Sequence, residues 1–121
     1  MSGLEPRLHP ARFGIACLPD PRVPAGLAPF ALVAEREGLT VVADHAALAA
    51  AGIEPGAPFA LVSLGLASAL DGVGLTAAFA TALAAAGIAC NTLAGYHHDH
   101  LLVPWERRAE ALAILDRLEA P

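Results

Sequence analysis

The stretch FALVSLGLASALDGVGLTAAFATALAAAGIACNTLAGYHHDHLLVP, Phe59 to Pro104, decides the fold. Phe59 to Leu66 is almost wholly apolar, which suits a central strand covered on at least one face. A polar break at Ala67 to Gly72 follows. From Val73 to Ala86 the larger groups Leu75, Phe79 and Leu83 recur every fourth residue, with Ala78, Ala82 and Ala86 on the same stripe. That spacing predicts a helix, ended by Gly87. Ile88 to Leu93 then reads as a strand that turns near Ala94-Gly95 into a second strand, His98 to Val103. Pro104 fits the first turn of a last helix to about Glu119, where Ala111, Ile114, Leu115 and Leu118 keep helical spacing. Strand, helix, strand, strand, helix is a split βαβ unit without its last strand.

Upstream, Met1 to Ala11 carries Gly3, Pro6 and Pro10 without periodicity and reads as a flexible arm. Arg12 to Leu18 has the length of a strand, and the prolines at 19, 21, 24 and 29 forbid regular helix after it. Phe30 to Ala34 and Leu39 to Ala43 flank Glu35-Arg36-Glu37-Gly38, a hairpin pattern. Asp44 caps a short alanine-rich helix that Gly52 ends. The missing edge strand must come from this N-terminal half or from another subunit, and the first is expected. The fold class is then α+β, a mixed and mainly antiparallel sheet of about five or six strands with helices on one face.

The 121 residues suit one domain, and 56% hydrophobic against 16% charged residues excludes a disordered chain. The net charge of −5 and the dispersed arginines argue against a nucleic-acid partner, which needs a clustered basic footprint. Gly72 to Tyr96 holds no charge and is long enough to cross a bilayer, but Gly87 and Asn91 interrupt it, so a buried helix and strand are expected instead. The start lacks a basic region followed by an apolar one, which predicts a cytoplasmic address. Cys17 and Cys90 sit in apolar runs and are expected to behave as small hydrophobes.

Four places could carry chemistry. Ser68, Asp71, Gly72 and Gly74 lie where a strand meets the best helix; free amides there attract a carboxylate or phosphate, unless Asp71 is simply a cap. His97-His98-Asp99-His100 places His98 and His100 on one strand face, as a ligand site, as structural hydrogen-bonding groups, or as two metal ligands that lack an evident third. Glu35 and Glu37, beside Gly38, could receive a cationic group or form a solvated turn. Asn91, polar in an apolar strand, needs partners in a loop or a ligand. No nucleophile elbow, phosphate loop or dinucleotide fingerprint is present, so no enzyme activity and no cofactor is expected.

The runs EGLTVV (Glu37 to Val42), VGLTAA (Val73 to Ala78), GIACN (Gly87 to Asn91) and AGYHHDHLLVP (Ala94 to Pro104) resemble the small bacterial ACT-domain proteins, which are similar to the ACT modules of arginine-sensing regulators. The resemblance spans roughly Phe30 to Leu118 and rests on the combination of segments. It implies a ferredoxin-like βαββαβ fold and amino-acid binding between modules. Residues 12–57 would then be a partial ACT-like half with a short helix, completing the sheet of an ACT-like unit at 58–121. The implied ligand residues are Asp71, Gly72, Val73 and Gly74, facing Glu37 and Gly38, with Asn91, His98 and Asp99 beside them. A non-enzymatic homodimer regulated by an amino acid or related metabolite follows. The alternatives are a structural or protein-interaction domain with a vestigial pocket and a metal-dependent protein using the histidine segment.

Overall fold

The computed structural model describes residues 3–67 and 69–121, so Ser68 of the expected loop site lies outside the described residues. The elements run β1 (Pro6–Leu18), β2 (Ala31–Glu35), β3 (Gly38–Asp44), α1 (His45–Ala50), β4 (Phe59–Leu64), α2 (Leu75–Ala85), β5 (Asn91–Ala94) and β6 (Asp99–Pro104). A 3-10 turn at Trp105–Arg107 then leads into α3 (Arg108–Asp116). The chain closes into two compact units, Ala11–Phe59 and Met1–Pro10 with Ala60–Pro121. The high apolar fraction lets each small unit fill its own core.

In the contiguous unit the strand order is β2-β3-β1, antiparallel throughout. Glu35 pairs with Gly38, so Arg36-Glu37 forms the expected tight reversal. Gly38 has φ +153°, and a Cβ there would stand 2.5 Å from the Leu18 carbonyl oxygen, so only glycine lets the hairpin approach β1. The proline-rich connection between β1 and β2 holds no helix among its residues. Asp44 caps α1 by accepting from the Ala47 amide at 3.0 Å, and Leu48 enters a core of Ala16, Leu18, Leu39, Val41 and Ala43. Alternation along β1 turns Ala16 and Leu18 inward and leaves Cys17 exposed, contrary to its expected burial.

The second unit contains the split βαβ array. Its strand order is β1-β4-β6-β5, with β5 antiparallel to β6. Ala60, Val62 and Leu64 of β4 and Leu101 and Val103 of β6 share one face with Phe79, Leu83, Ala111 and Leu115 from α2 and α3. The place beside β4 is taken by the chain's own N-terminal segment: the amides of Gly65 and Leu66 donate to the carbonyls of Glu5 and Leu4 at 2.8 and 3.2 Å. This is the ferredoxin-like arrangement with its fourth strand supplied from the opposite end of the sequence.

The supposed arm is therefore strand from Pro6 onward. Leu4 and Glu5 both turn their carbonyls toward β4, and Glu5 has a φ of 53°, so the chain enters β1 through a local break in alternation. Pairing with β3 starts only at Phe13. Pro6 is the first residue of the strand, a position where proline is tolerated. β5 also begins later than its apolar run suggests, because the Ile88 amide closes the end of α2 on the Leu83 carbonyl at 3.0 Å. Asn91 consequently opens β5 on an exposed edge, with its amide nitrogen 3.5 Å from the Leu102 carbonyl, and is not a buried polar group.

Leu4, 1% exposed, tests the origin of the fourth strand. Leu4→Ala is expected to cost about 2–5 kcal/mol, as for any buried leucine. Urea unfolding measures it, and a change below about 0.5 kcal/mol would mean that the segment is a dispensable tail.

Candidate functional site

The polar break after β4 becomes a loop that ends at the start of α2. Gly74 is the N-cap, with φ +107° and no side-chain cap, so Asp71 does not cap the helix. The Gly74 carbonyl receives its first helical bond from Ala78 at 2.9 Å, leaving the amides of Leu75, Thr76 and Ala77 without intrahelical acceptors. The Pro121 ring lies beside Gly74, where a Cβ would stand 3.4 Å from it, an ordinary contact distance. A backbone bridge between Gly3 and Glu119 holds that segment.

A cleft of about 600 Å³ opens here, within one unit, between the loop, the first turn of α2 and the β5–β6 turn. Gly72, Val73 and Gly74 line it, joined by Leu66, Leu70 and Leu75. Asp99 enters from the start of β6. It lies on the same strand face as Leu101 and Val103, is 8% exposed, and is the one ionisable side chain among the described lining residues. Leu70 and Val73 are 72% and 93% exposed at the rim. The His98 ring stands outside the lining with Nδ1 3.4 Å from the Leu66 carbonyl, so it braces the wall.

Of the residues expected from sequence, Gly72, Val73, Gly74 and Asp99 thus come together, while Asp71 is an exposed neighbour in the loop. Asn91 does not line the cleft. Glu37 and Gly38 belong to the other unit, where they line a shallower depression of about 220 Å³ with Pro19, Pro21 and Arg36. The exposed Arg36–Glu37 pair there, at 3.5 Å, contributes about 0–1 kcal/mol.

The histidine segment divides. His97 stacks edge-on against Tyr96, Asp99 enters the cleft, and His100 leaves on the opposite strand face. His98 precedes β6 and faces the Leu66 carbonyl, whereas His100 lies within the strand and has its hydrogen-bond partner on β4. His100 Nδ1 lies 2.7 Å from Ser63 Oγ on β4, and that oxygen lies 2.9 Å from Nε2 of His9 on β1. One hydroxyl therefore links two imidazoles across three strands, donating to one ring and accepting an N–H from the other. Ser63 alternates with Val62 and Leu64, which places this bridge on the face away from the helices. Sequence reasoning missed His9 because it sat in the supposed arm; the only local signal was its place one residue out of step with Leu8. Among the described residues no three His, Cys, Asp or Glu side chains gather as a metal site.

An ACT-domain family model matches residues 57–117, and a second ACT-domain model matches residues 1–60. The chain belongs to the ACT-domain family. Among solved structures, the ACT chain is 36% identical to a Vibrio cholerae protein of unknown function described as a possible transport protein. That match covers 97% of this chain and 91% of the other, with a TM-score of 0.85. An Agrobacterium tumefaciens protein matches at 18% identity over 95% and 88% of the two chains, with a TM-score of 0.78. The ligand-free regulatory subunit of aspartate kinase from Thermus thermophilus matches at 13% identity over the whole of both chains, with a TM-score of 0.68, a likeness of fold. Among curated proteins none matches. ACT domains are regulatory small-molecule-binding modules and not catalytic ones, and among the described residues no helix is long and apolar enough to cross a membrane.

Burial lowers the pKa of both bridge histidines. Arg7 adds to the effect at His9; His9 and His98 add at His100, opposed by Asp99. A depressed folded-state pKa means that the unfolded chain takes up protons first, so this contribution to stability is present above the unfolded value of about 6.5 and fades below it. Urea unfolding between pH 7.5 and 5.5 should show declining stability, with a shallower slope in His100→Gln; identical slopes would exclude the bridge as the cause. Ser63→Ala should cost about 1–3 kcal/mol by removing the shared hydroxyl.

Proposed function

We propose that this ACT protein is a cytoplasmic regulatory module that binds an amino acid or a closely related zwitterion in the cleft at the start of α2. The observation that carries the reading is the meeting, in one cleft, of a helix N-terminus without a side-chain cap and the buried carboxylate of Asp99. The ligand carboxylate faces the amides after Gly74, where the helix dipole favours negative charge, and the ammonium group faces Asp99. Asp99 replaces Asp71 and Glu37 as the acid of choice, because it alone of the three lines this cleft. The volume lies in the range of small-ligand sites, about 300–1,000 Å³.

Regulation follows from the rim. Leu70, Val73 and Tyr96 are exposed apolar groups around or near the cleft, the kind of surface that a second subunit covers. A ligand that buries Leu70 and Val73 changes what remains for association, and so shifts the balance between free protein and a homodimer or a complex with a regulated partner. The same exposed side chains favour one second reading, a protein-interaction domain whose cleft holds no metabolite.

Melting and isothermal titration with the twenty amino acids separate the two. A ligand present at about a hundred times its Kd is expected to add about 2.7 kcal/mol of stability and raise Tm by roughly 5–15 °C. Absent heat and unchanged melting for all twenty would leave the interaction domain as the better account.

A further inference from the structure

β2 is an edge strand, with β3 on one side and, among the described residues, no strand on the other. We propose that two copies of the chain pair at this edge, β2 against β2 in antiparallel register about a twofold axis through Val33. Edges of this kind are ordinarily guarded by lysine, proline or an inward-pointing charge, and Phe30-Ala31-Leu32-Val33-Ala34 carries none of these. Phe30, Leu32 and Val33 are 37%, 48% and 43% exposed. Apart from Leu70, Val73 and Tyr96 at the cleft, they are the exposed large apolar side chains among the described residues.

Hydrogen-bond parity selects both the occupant and the register. Arg36-Glu37 alone separates Glu35 from Gly38, so that pair exchanges both of its backbone bonds; alternation gives the same to Val33 with Thr40 and to Ala31 with Val42. The amides and carbonyls of Leu32 and Ala34 therefore point away from β3. Against a second copy running antiparallel, Leu32 meets Ala34 and Ala34 meets Leu32, so every outward amide finds an outward carbonyl. The register has little room to slide. The Phe30 amide donates to the Val42 carbonyl at 2.7 Å although Val42 already pairs with Ala31, a bulge that ends the regular edge on one side, and the Arg36-Glu37 turn ends it on the other. Val33 is the midpoint of what remains.

The side chains fit the same symmetry. On one face the large Leu32 stands beside the small Ala34 of the second copy, and on the other Val33 meets its own equivalent in a non-hydrogen-bonded pair, where side chains approach most closely. Glu35 comes opposite Ala31 and about 13 Å from the other Glu35, so like charges do not face each other. Phe30, Leu32 and Val33 of both copies supply the apolar burial that a stable dimer needs beyond its backbone bonds. The edge belongs to the unit Ala11–Phe59 and the cleft to the other, so this pairing needs no ligand.

Sedimentation equilibrium of the full chain without added ligand is expected to show a dimer at micromolar concentration. Val33→Lys sets two ammonium groups against each other on the axis and should weaken the dimer at least tenfold, with unchanged far-UV circular dichroism because the position is already 43% exposed. Cross-linking reads the register independently. With Cys17→Ala and Cys90→Ala removing the native thiols, Val33→Cys is expected to give an intermolecular disulfide under mild oxidation, since its two Cα atoms would lie about 4.5 Å apart. Glu35→Cys, too far from its equivalent, is expected to give none. A chain still monomeric at about 100 µM leaves the edge to a strand of some other protein and overturns the proposal. A dimer unmoved by Val33→Lys, or equal cross-linking at the two positions, overturns it as well.

Discussion

A strand as deeply buried as β4 cannot leave either of its edges without hydrogen-bonding partners. Its residues from Ala60 to Leu64 are screened from water, so an unpaired amide or carbonyl there would forfeit its bond to solvent and gain nothing in return. β6 satisfies one edge. The other is satisfied by the segment from Leu4 onward, which the whole of Ala11–Phe59 separates from β4 in sequence. The packing of Phe79, Leu83, Ala111 and Leu115 over β4 and β6 presupposes that completed array. So does the bridge from His9 to His100, because its two rings reach Ser63 only when β1 and β6 flank β4.

The cleft grows from the same arrangement. Where β4 ends, the chain must rise to begin α2, and glycine at 72 and 74 allows a turn that no side chain caps. Alternation on β6 then delivers Asp99 to the helix side and His100 to the other. Adjacent residues therefore serve different ends of the design: one faces the cleft and one ties the sheet together. The apolar loop residues between them remain on the surface, a cost in solubility that is understandable if something covers them in use.

Local pattern exposes the parts of this structure that are held by nearest neighbours in sequence. The fourfold spacing of Leu75, Phe79 and Leu83 marks α2, the apolar run marks β4, and the glycines before Leu75 mark the loop that lines the cleft. Asp99 is legible as part of a dense polar cluster. What stays hidden depends on partners far along the chain. Pro6 and Pro10 disguise β1, since whether a missing N–H matters depends on which side the neighbouring strand lies. Nor does any local period tell His9 that it will stand across a serine from His100. Glu37 and Gly38 show the converse error. Their motif is conspicuous, yet the glycine is required by the approach of the hairpin to Leu18, an intimate backbone contact within the first unit.

The long reach of the N-terminal segment has a consequence for the nascent chain. Leu4 and Glu5 leave the ribosome early, but Gly65 and Leu66, whose amides they accept, are polymerised long afterwards. The unit of Ala11–Phe59 is contiguous and can close while translation continues, whereas the other must wait and then bear the entropy of joining distant ends. During that interval the proline-bearing segment is shielded from premature pairing by the donors it lacks, so the residues that conceal it from pattern recognition also guard it against wrong partners.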